Sequence, residues 1–130
     1  MIVLDASALV IALTDVTDRG RTVRNRLHGV ASARSPDLVN CETLSSLSKL
    51  RQTGSISPAG HRQAVAGLLG IAVARVPTTA FIERITELTD NVTPYDAAYV
   101  ALAESLDCPI LTGDRRLAQA PGPRCDFEVV

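Results

Sequence analysis

Met1-Ile2-Val3-Leu4-Asp5-Ala6-Ser7-Ala8-Leu9 decides the fold. Met1 to Leu4 is short and wholly apolar, the pattern of a strand buried on both faces of a parallel sheet rather than one with a wet side. Asp5 ends the run, and Ala6 to Leu13 reads as a helix that begins where the strand stops. A strand passing directly into a helix is the first half of a βαβ unit.

The same reading recurs at the far end of the chain. Pro109-Ile110-Leu111-Thr112 is a strand, Asp114 to Ala118 a helical turn, and Asp126 to Val130 a last strand. Between the two ends, Asp18 to Leu27 is a polar, Arg-rich helix stopping near Gly29. A strand after it is left open. Pro36-Asp37 opens a long helix through about Arg51, with Leu38, Cys41, Leu44, Leu47 and Leu50 as its apolar positions. Ser57 caps a further helix that has Pro58 at its first position and Gly70 at its close. Ile71 to Val76 is a strand broken by one Arg, and Thr78 to Leu88 carries Phe81, Ile82, Ile85 and Leu88 at helical spacing. Thr93-Pro94-Tyr95-Asp96 starts an Ala-rich helix that runs through Leu106. Such alternation predicts an α/β fold in three layers, a central, mostly parallel sheet flanked by helices. The 130 residues suit one domain spanning 1–130, with no repeat and no linker long enough to divide it.

Composition narrows the function. With 46% hydrophobic and 21% charged residues the chain is globular rather than disordered. A net charge of −1 advertises no nucleic-acid binder, although the cations are 12 Arg against the single Lys49. Arg19, Arg21, Arg24 and Arg26 crowd one segment, readable as a solvated helix face or as a patch facing RNA. Phe81, Tyr95, Tyr99 and Phe127 are too few and scattered for a base-stacking platform. Cys41, Cys108 and Cys125 form no CxxC pair, and with only His28 and His61 beside them a zinc site is not expected. The apolar run Ala8 to Leu13 falls far short of the ~20 residues that span a bilayer, so a cytoplasmic setting without membrane contact is expected.

Four acids carry the chemistry. Asp5 and Asp114 follow apolar strand runs; Glu42 and Asp96 lie in the first turns of predicted helices. The carboxyl ends of the strands line the ligand crevice of an open α/β sheet. Carboxylates converging there repel by roughly 4 kcal/mol per pair at ~4 Å and an effective dielectric of ~20. A hard cation with oxygen ligands, Mg²⁺ or Mn²⁺, relieves that repulsion. Singly, Asp5, Asp96 and Asp114 are each explained by helix capping, and Glu42 by a place at the edge of a buried helix face. Together, strand-end Asp, helix Glu, helix-start Asp and strand-end Asp form a spacing that capping does not predict. The expectation is a metal-dependent phosphodiester cutter.

Val3-Leu4-Asp5-Ala6-Ser7-Ala8-Leu9, Glu42 in its helix, Tyr95-Asp96-Ala97-Ala98-Tyr99-Val100-Ala101-Leu102-Ala103-Glu104 and Leu111-Thr112-Gly113-Asp114-Arg115-Arg116-Leu117 together make the chain resemble a PIN-domain endoribonuclease, specifically a VapC-type toxin of a toxin–antitoxin pair. The resemblance implies a PIN-like fold and metal-binding, catalytic roles for Asp5, Glu42, Asp96 and Asp114, with Thr112 and Ser7 supporting. It implies Mg²⁺ as cofactor, with Mn²⁺ substituting, and RNA hydrolysis leaving 5′-phosphate and 3′-hydroxyl ends. It also implies a VapB-type antitoxin as partner, alongside a homodimer, with Leu44 to Leu50 and Val65 to Leu69 as candidate contacts. One departure is Tyr95 before Asp96, where many relatives carry a smaller residue. The competing readings are a PIN nuclease of RNA processing without a toxin role and a non-catalytic metal-binding or interaction domain. A phospho-acceptor domain would need a Lys at the end of a late strand, and Lys49 lies in a helix. A phosphatase would need an acid where Ser7 stands.

Overall fold

The computed structural model describes residues 1–130. Its centre is β1 (Ile2–Leu4), whose three residues are wholly buried, as a strand covered on both faces must be. β1 pairs on one side with β2 (Ala33–Pro36) and on the other with β4 (Ile110–Thr112). Outside these lie β3 (Val73–Val76) and β5 (Phe127–Val129), giving the order β3-β2-β1-β4-β5. Every pairing is parallel, so the mostly parallel sheet of the sequence reading is parallel throughout.

The helices follow from the handedness of parallel crossovers. From β1 the chain steps outward to β2 and β3 through α1 (Ala6–Thr14), α2 (Asp18–His28), α3 (Val39–Gln52) and α4 (Pro58–Gly70). α1 packs on α2, α3 and α4. After β3 the chain returns to the other side of β1, so α5 (Ile82–Leu88) and α6 (Pro94–Leu106) cover the opposite face, α6 lying on β1, β2 and β4. The small side chains of α6 allow that approach: Ala97 through Ala103 are all buried. The short α7 (Arg115–Gln119) leads into β5. The strand order reverses between β1 and β4. That is the topological switch point, where the carboxyl ends of an open α/β sheet leave a crevice.

Local expectations need four corrections. Ala33–Pro36, left open before, is a strand inside the sheet, and the Ser35 hydroxyl donates to the Leu4 carbonyl. The long helix therefore starts at Val39 rather than at Pro36, which ends β2. Its inward face is Val39, Thr43 and Leu47, while Cys41 and Leu44 are exposed. Packing on α1 and α4 selects the i, i+4, i+8 stripe over the i, i+3 set of apolar residues. Finally, Thr78–Phe81 is a 3₁₀ turn ahead of α5, and the strand before it narrows to Val73–Val76.

The arginine segment resolves into individual tasks. Arg24 donates to the Ala12 and Asp15 carbonyls at 3.0 and 2.8 Å, closing the end of α1. Arg26 holds Glu128 of β5 with two bonds of 2.6 Å. Arg21 pairs with Asp18, and Arg19 donates to the Val130 carbonyl at 3.0 Å. Each has a partner within the chain.

Candidate metal and nuclease cleft at the sheet switch point

Asp5 leaves β1 at the switch point with extended backbone, the conformation of a helix N-cap, yet its side chain makes no cap bond to α1. Oδ2 instead accepts two hydroxyls, Ser7 at 2.5 Å and Thr112 at 2.6 Å. Both hydroxyls are oriented by backbone amides just after β4, the first across the gap from β1 and the second within the β4 end itself. The Gly113 N–H donates to Ser7 Oγ at 2.8 Å, and the Asp114 N–H to Thr112 Oγ1 at 2.9 Å. A hydroxyl has one proton to give, so both protons point at the same carboxylate oxygen. Oδ1 of Asp5 is left without a protein partner.

Glu42 reaches the same place from α3. Its Oε2 accepts the Tyr99 hydroxyl at 2.6 Å, from a ring wholly buried in α6. Burial pushes the Glu42 carboxyl above its ordinary range; the Tyr99 bond pulls against this, and the charges of Asp5 and Asp96 add to the rise. The Tyr99 phenol is pushed up too, first by burial and then by its bond to Glu42, so it remains a donor at neutral pH. Asp96 sits in the first turn of α6, where the Thr93 side chain caps its N–H at 3.2 Å. Burial raises the Asp96 carboxyl; Thr93 opposes this, Asp5 and Asp114 raise it further, and Arg116 lowers it.

Asp114 does two things. Its Oδ1 caps α7, accepting the Arg116 and Leu117 N–H groups at 2.8 and 3.4 Å, and its Oδ2 lies 3.6 Å from the Arg116 guanidinium. The capping reading holds in full for this residue. It does not exclude the other role, because Asp114 also lines the cleft.

That cleft has a volume of about 490 Å³, and Asp5, Glu42, Asp96 and Asp114 all line it, with Ser7, Cys41, Ser45, Ser46 and Tyr95. Thus the four acids chosen from sequence share one crevice, and Ser7 and Thr112 tie two of its strands together. Sequence reasoning missed Tyr99, Ser45 and Ser46. A signal existed for each: Tyr99 lies three residues after Asp96, and Ser45 and Ser46 lie three and four after Glu42, on the same helix faces. A separate cavity of about 360 Å³ near Cys108 and Cys125 is lined by Glu104, Asp107 and Asp126 with Arg124 among them; Glu104 is spent on two bonds from Arg84 and one from the Arg124 N–H, and none of the four acids enters it.

The donor set suits a hard cation. Carboxylates dominate it, hydroxyls support it, and no histidine enters. Asp5, Glu42 and Asp114 each use one oxygen to be held and turn the other free of that bond. No three acidic, histidine or cysteine side chains are drawn into a finished cage. A cation bound through one or two carboxylates with water completing its shell matches that openness, and Mg²⁺ is ordinarily held so.

The sequence matches the PIN domain family over residues 2–123. It is 40% identical over 131 residues to ribonuclease VapC9 of Mycobacterium tuberculosis, covering 100% of this chain and 98% of the relative. Two solved structures share its fold. Mycobacterium tuberculosis VapC20, described as a sarcin-ricin loop cleaving toxin, superposes with a TM-score of 0.69 at 20% identity, covering 92% of this chain and 94% of the other. VapBC2 of Rickettsia felis, solved bound to a DNA fragment from its promoter, gives 0.68 at 17% identity, covering 99% and 98%. With its acids gathered where a parallel sheet reverses order and its whole length aligned to such relatives, the chain belongs to the PIN-domain family, in its VapC ribonuclease branch.

Proposed function

We propose that this protein is a Mg²⁺-dependent endoribonuclease that acts as the toxin of a toxin–antitoxin pair, residues 1–130 working as one PIN-like unit. The observation that carries the reading is the convergence of Asp5, Glu42, Asp96 and Asp114 on one cleft where Arg116 is the nearby cation. Asp5 and Asp96 are the principal ligands, with Glu42 and Asp114 completing the set. When bound, Mg²⁺ or Mn²⁺ supplies an acidified water and offsets charge on the phosphate under attack. The chain's own residues do the rest. Ser7 and Thr112 fix the direction of Asp5 by donating two hydroxyls to one of its oxygens. Tyr99 fixes Glu42 in direction by its hydroxyl bond. Asp96 and Glu42, whose proton affinity is raised by burial, are the acids a bound cation would most relieve of their protons. Hydrolysis leaves a 5′-phosphate and a 3′-hydroxyl.

A VapB-type antitoxin and a second copy of the chain are the proposed partners, in a cytoplasmic setting; no helix is long and apolar enough to cross a membrane. A groove of about 400 Å³ between α3 and α4 supports the partner reading. Leu44, Val65, Leu68 and Leu69 line it, and Leu69 is 84% exposed.

Brief expression in a bacterial host tests the proposal. The parent chain is expected to arrest growth and to produce RNA fragments with new 5′-phosphate ends. Asp96→Asn, which keeps the side-chain shape and leaves the Thr93 cap intact, is expected to fold and do neither. An Asp96→Asn variant that cuts RNA at the parent rate sinks the catalytic assignment.

A further inference from the structure

At the amino ends of the strands, away from the acids, the sheet brings two thiols together. Cys108 lies two residues before Ile110 and Cys125 two before Phe127, and Ile110 and Phe127 are register partners on the neighbouring parallel strands β4 and β5. Two residues are one period of the pleat, which turns both side chains to one face. Both cysteines are half-buried and free, and both line the cavity of about 360 Å³. Strands paired in this way run about 4.8 Å apart, inside the roughly 4.4–6.8 Å between Cα atoms that a disulfide spans. The backbone beside each thiol is pinned to the same turn of α6. The Cys108 N–H donates to the Ala103 carbonyl at 3.2 Å, and the Arg124 N–H, one residue before Cys125, donates to the Glu104 carboxylate at 2.8 Å. The two sulfurs are therefore held at one end of one cavity by contacts that do not involve the sulfurs themselves.

We propose that Cys108 and Cys125 are a redox modification site, at which a small disulfide of the glutathione kind converts the two thiols into one intramolecular disulfide that ties β5 to β4. The Cys108 thiolate attacks one sulfur of the reagent and expels a glutathione thiolate, which takes up a proton. Cys125 then gives up its proton and attacks the Cys108 sulfur of the mixed disulfide, expelling the second glutathione. Two protein thiols lose two electrons, and one small disulfide is reduced to two thiols. Burial pushes both protein thiols up, Cys125 to about 11 with the Glu104 charge adding to the rise, whereas the N-terminal amine and Arg34 pull Cys108 back. Cys108 is thus the attacking group and Cys125 the resolving one. Neither is a ready thiolate at neutral pH, so in a reducing compartment the pair rests as two thiols and closes under sustained oxidation. The bond closes residues 108–125 into a loop that contains α7, and so restricts the unfolded chain. It braces β5, a three-residue edge strand that is only partly buried. The pair stands at the opposite ends of the strands from the acids, so the proposal holds whether or not the cleft cuts RNA.

The test uses the full chain carrying Cys41→Ser, because Cys41 is exposed and forms adducts of its own. The folded protein is equilibrated with glutathione disulfide at mildly alkaline pH. A second sample is refolded from denaturant in the same buffer, so that slow access to half-buried thiols cannot hide the product. Both routes are expected to give a chain that has lost two hydrogens in mass and carries no glutathione. Digestion should release one peptide pair joined through Cys108 and Cys125. The thermal midpoint of this form should lie about 10 °C above that of the reduced protein, and dithiothreitol should return it. Cys125→Ser in the same background should keep a single glutathione on Cys108, because nothing resolves the mixed disulfide, and should show no such rise. Free thiols at both positions by both routes, glutathione on each cysteine, or a crosslink that leaves the midpoint unchanged overturns the proposal.

Discussion

The hydroxyl of Thr112 is the smallest group on which the cleft depends. It is wholly buried, donates to Asp5 at 2.6 Å and accepts the Asp114 N–H at 2.9 Å, so one oxygen holds two acids from different strands. Thr112→Val keeps the shape and removes both bonds, stranding a half-buried N–H and half of the support for Asp5. The expected cost is about 1–3 kcal/mol, read as a lower urea midpoint with an unchanged slope, together with slower RNA cleavage. Thr112→Ser, which restores the hydroxyl, should recover most of both. A Thr112→Val protein as stable as the parent would mean that the network merely fills space. This contact also marks how far the site was legible. Asp5 and Asp114 could be read because each ends an apolar run, which places it at a strand's carboxyl end. The bonds that join the two strand ends link residues about 105 positions apart, and nothing local in Ser7 or Thr112 announces a partner at that distance.

At the scale of elements, the contact of α1 with α2 turns on Gly20. A Cβ there would drive into the Asp15 carbonyl, lying 2.7 Å from its carbon and 2.9 Å from the Arg24 guanidinium that closes α1. In an isolated helix Gly→Ala gains up to about 1 kcal/mol. Here the obstacle is backbone, which cannot step aside cheaply, and overpacking of this kind costs about 1–3 kcal/mol. Gly20→Ala is therefore expected to lower the thermal midpoint by several degrees, against the propensity rule, and a raised midpoint would show that α2 is free to shift. The same balance of local against tertiary forces explains which elements were readable. α6 and α4 announced themselves through Thr93-Pro94 and Ser57-Pro58, and both Thr93 and Ser57 act as caps in the structure. β2 did not, because Arg34 and Ser35 break the apolar pattern. It is a strand because β1 and β3 pair with it on both sides, a cause that lies outside its own residues. In α3 the apolar residues suggested one stripe while the neighbouring helices buried another, which is also how Glu42 comes to face the cleft.

Over the whole molecule, charge is divided by task. Arginines brace the periphery, Arg84 on Glu104 and Arg26 on Glu128, while the cleft gathers acids that nothing in the chain fully offsets. This division sets the response to pH. Burial, then neighbouring charge, raises the Glu42 and Asp96 carboxyls above ordinary values of 4.5 and 3.8. A carboxyl raised in the folded state binds more protons there than in the unfolded chain, so stability falls as pH climbs from the ordinary value through the raised one. Glu104 and Glu128 move the other way, held down by Arg84 and Arg26. Their contribution is present above their ordinary value and is lost only as pH falls below it. The range just above the ordinary carboxylate value thus belongs to the cleft. With EDTA present, the thermal midpoint is expected to fall as pH rises from about 5 to about 7, and Asp96→Asn should flatten that slope by removing one of the ionisations. Mn²⁺ should raise the midpoint most at the higher pH, because a cation competes with protons for the same oxygens and stabilises the fold by mass action. A midpoint that neither declines across this range in EDTA nor responds to Mn²⁺ would mean that the four carboxylates lie in one cleft without forming a cation site.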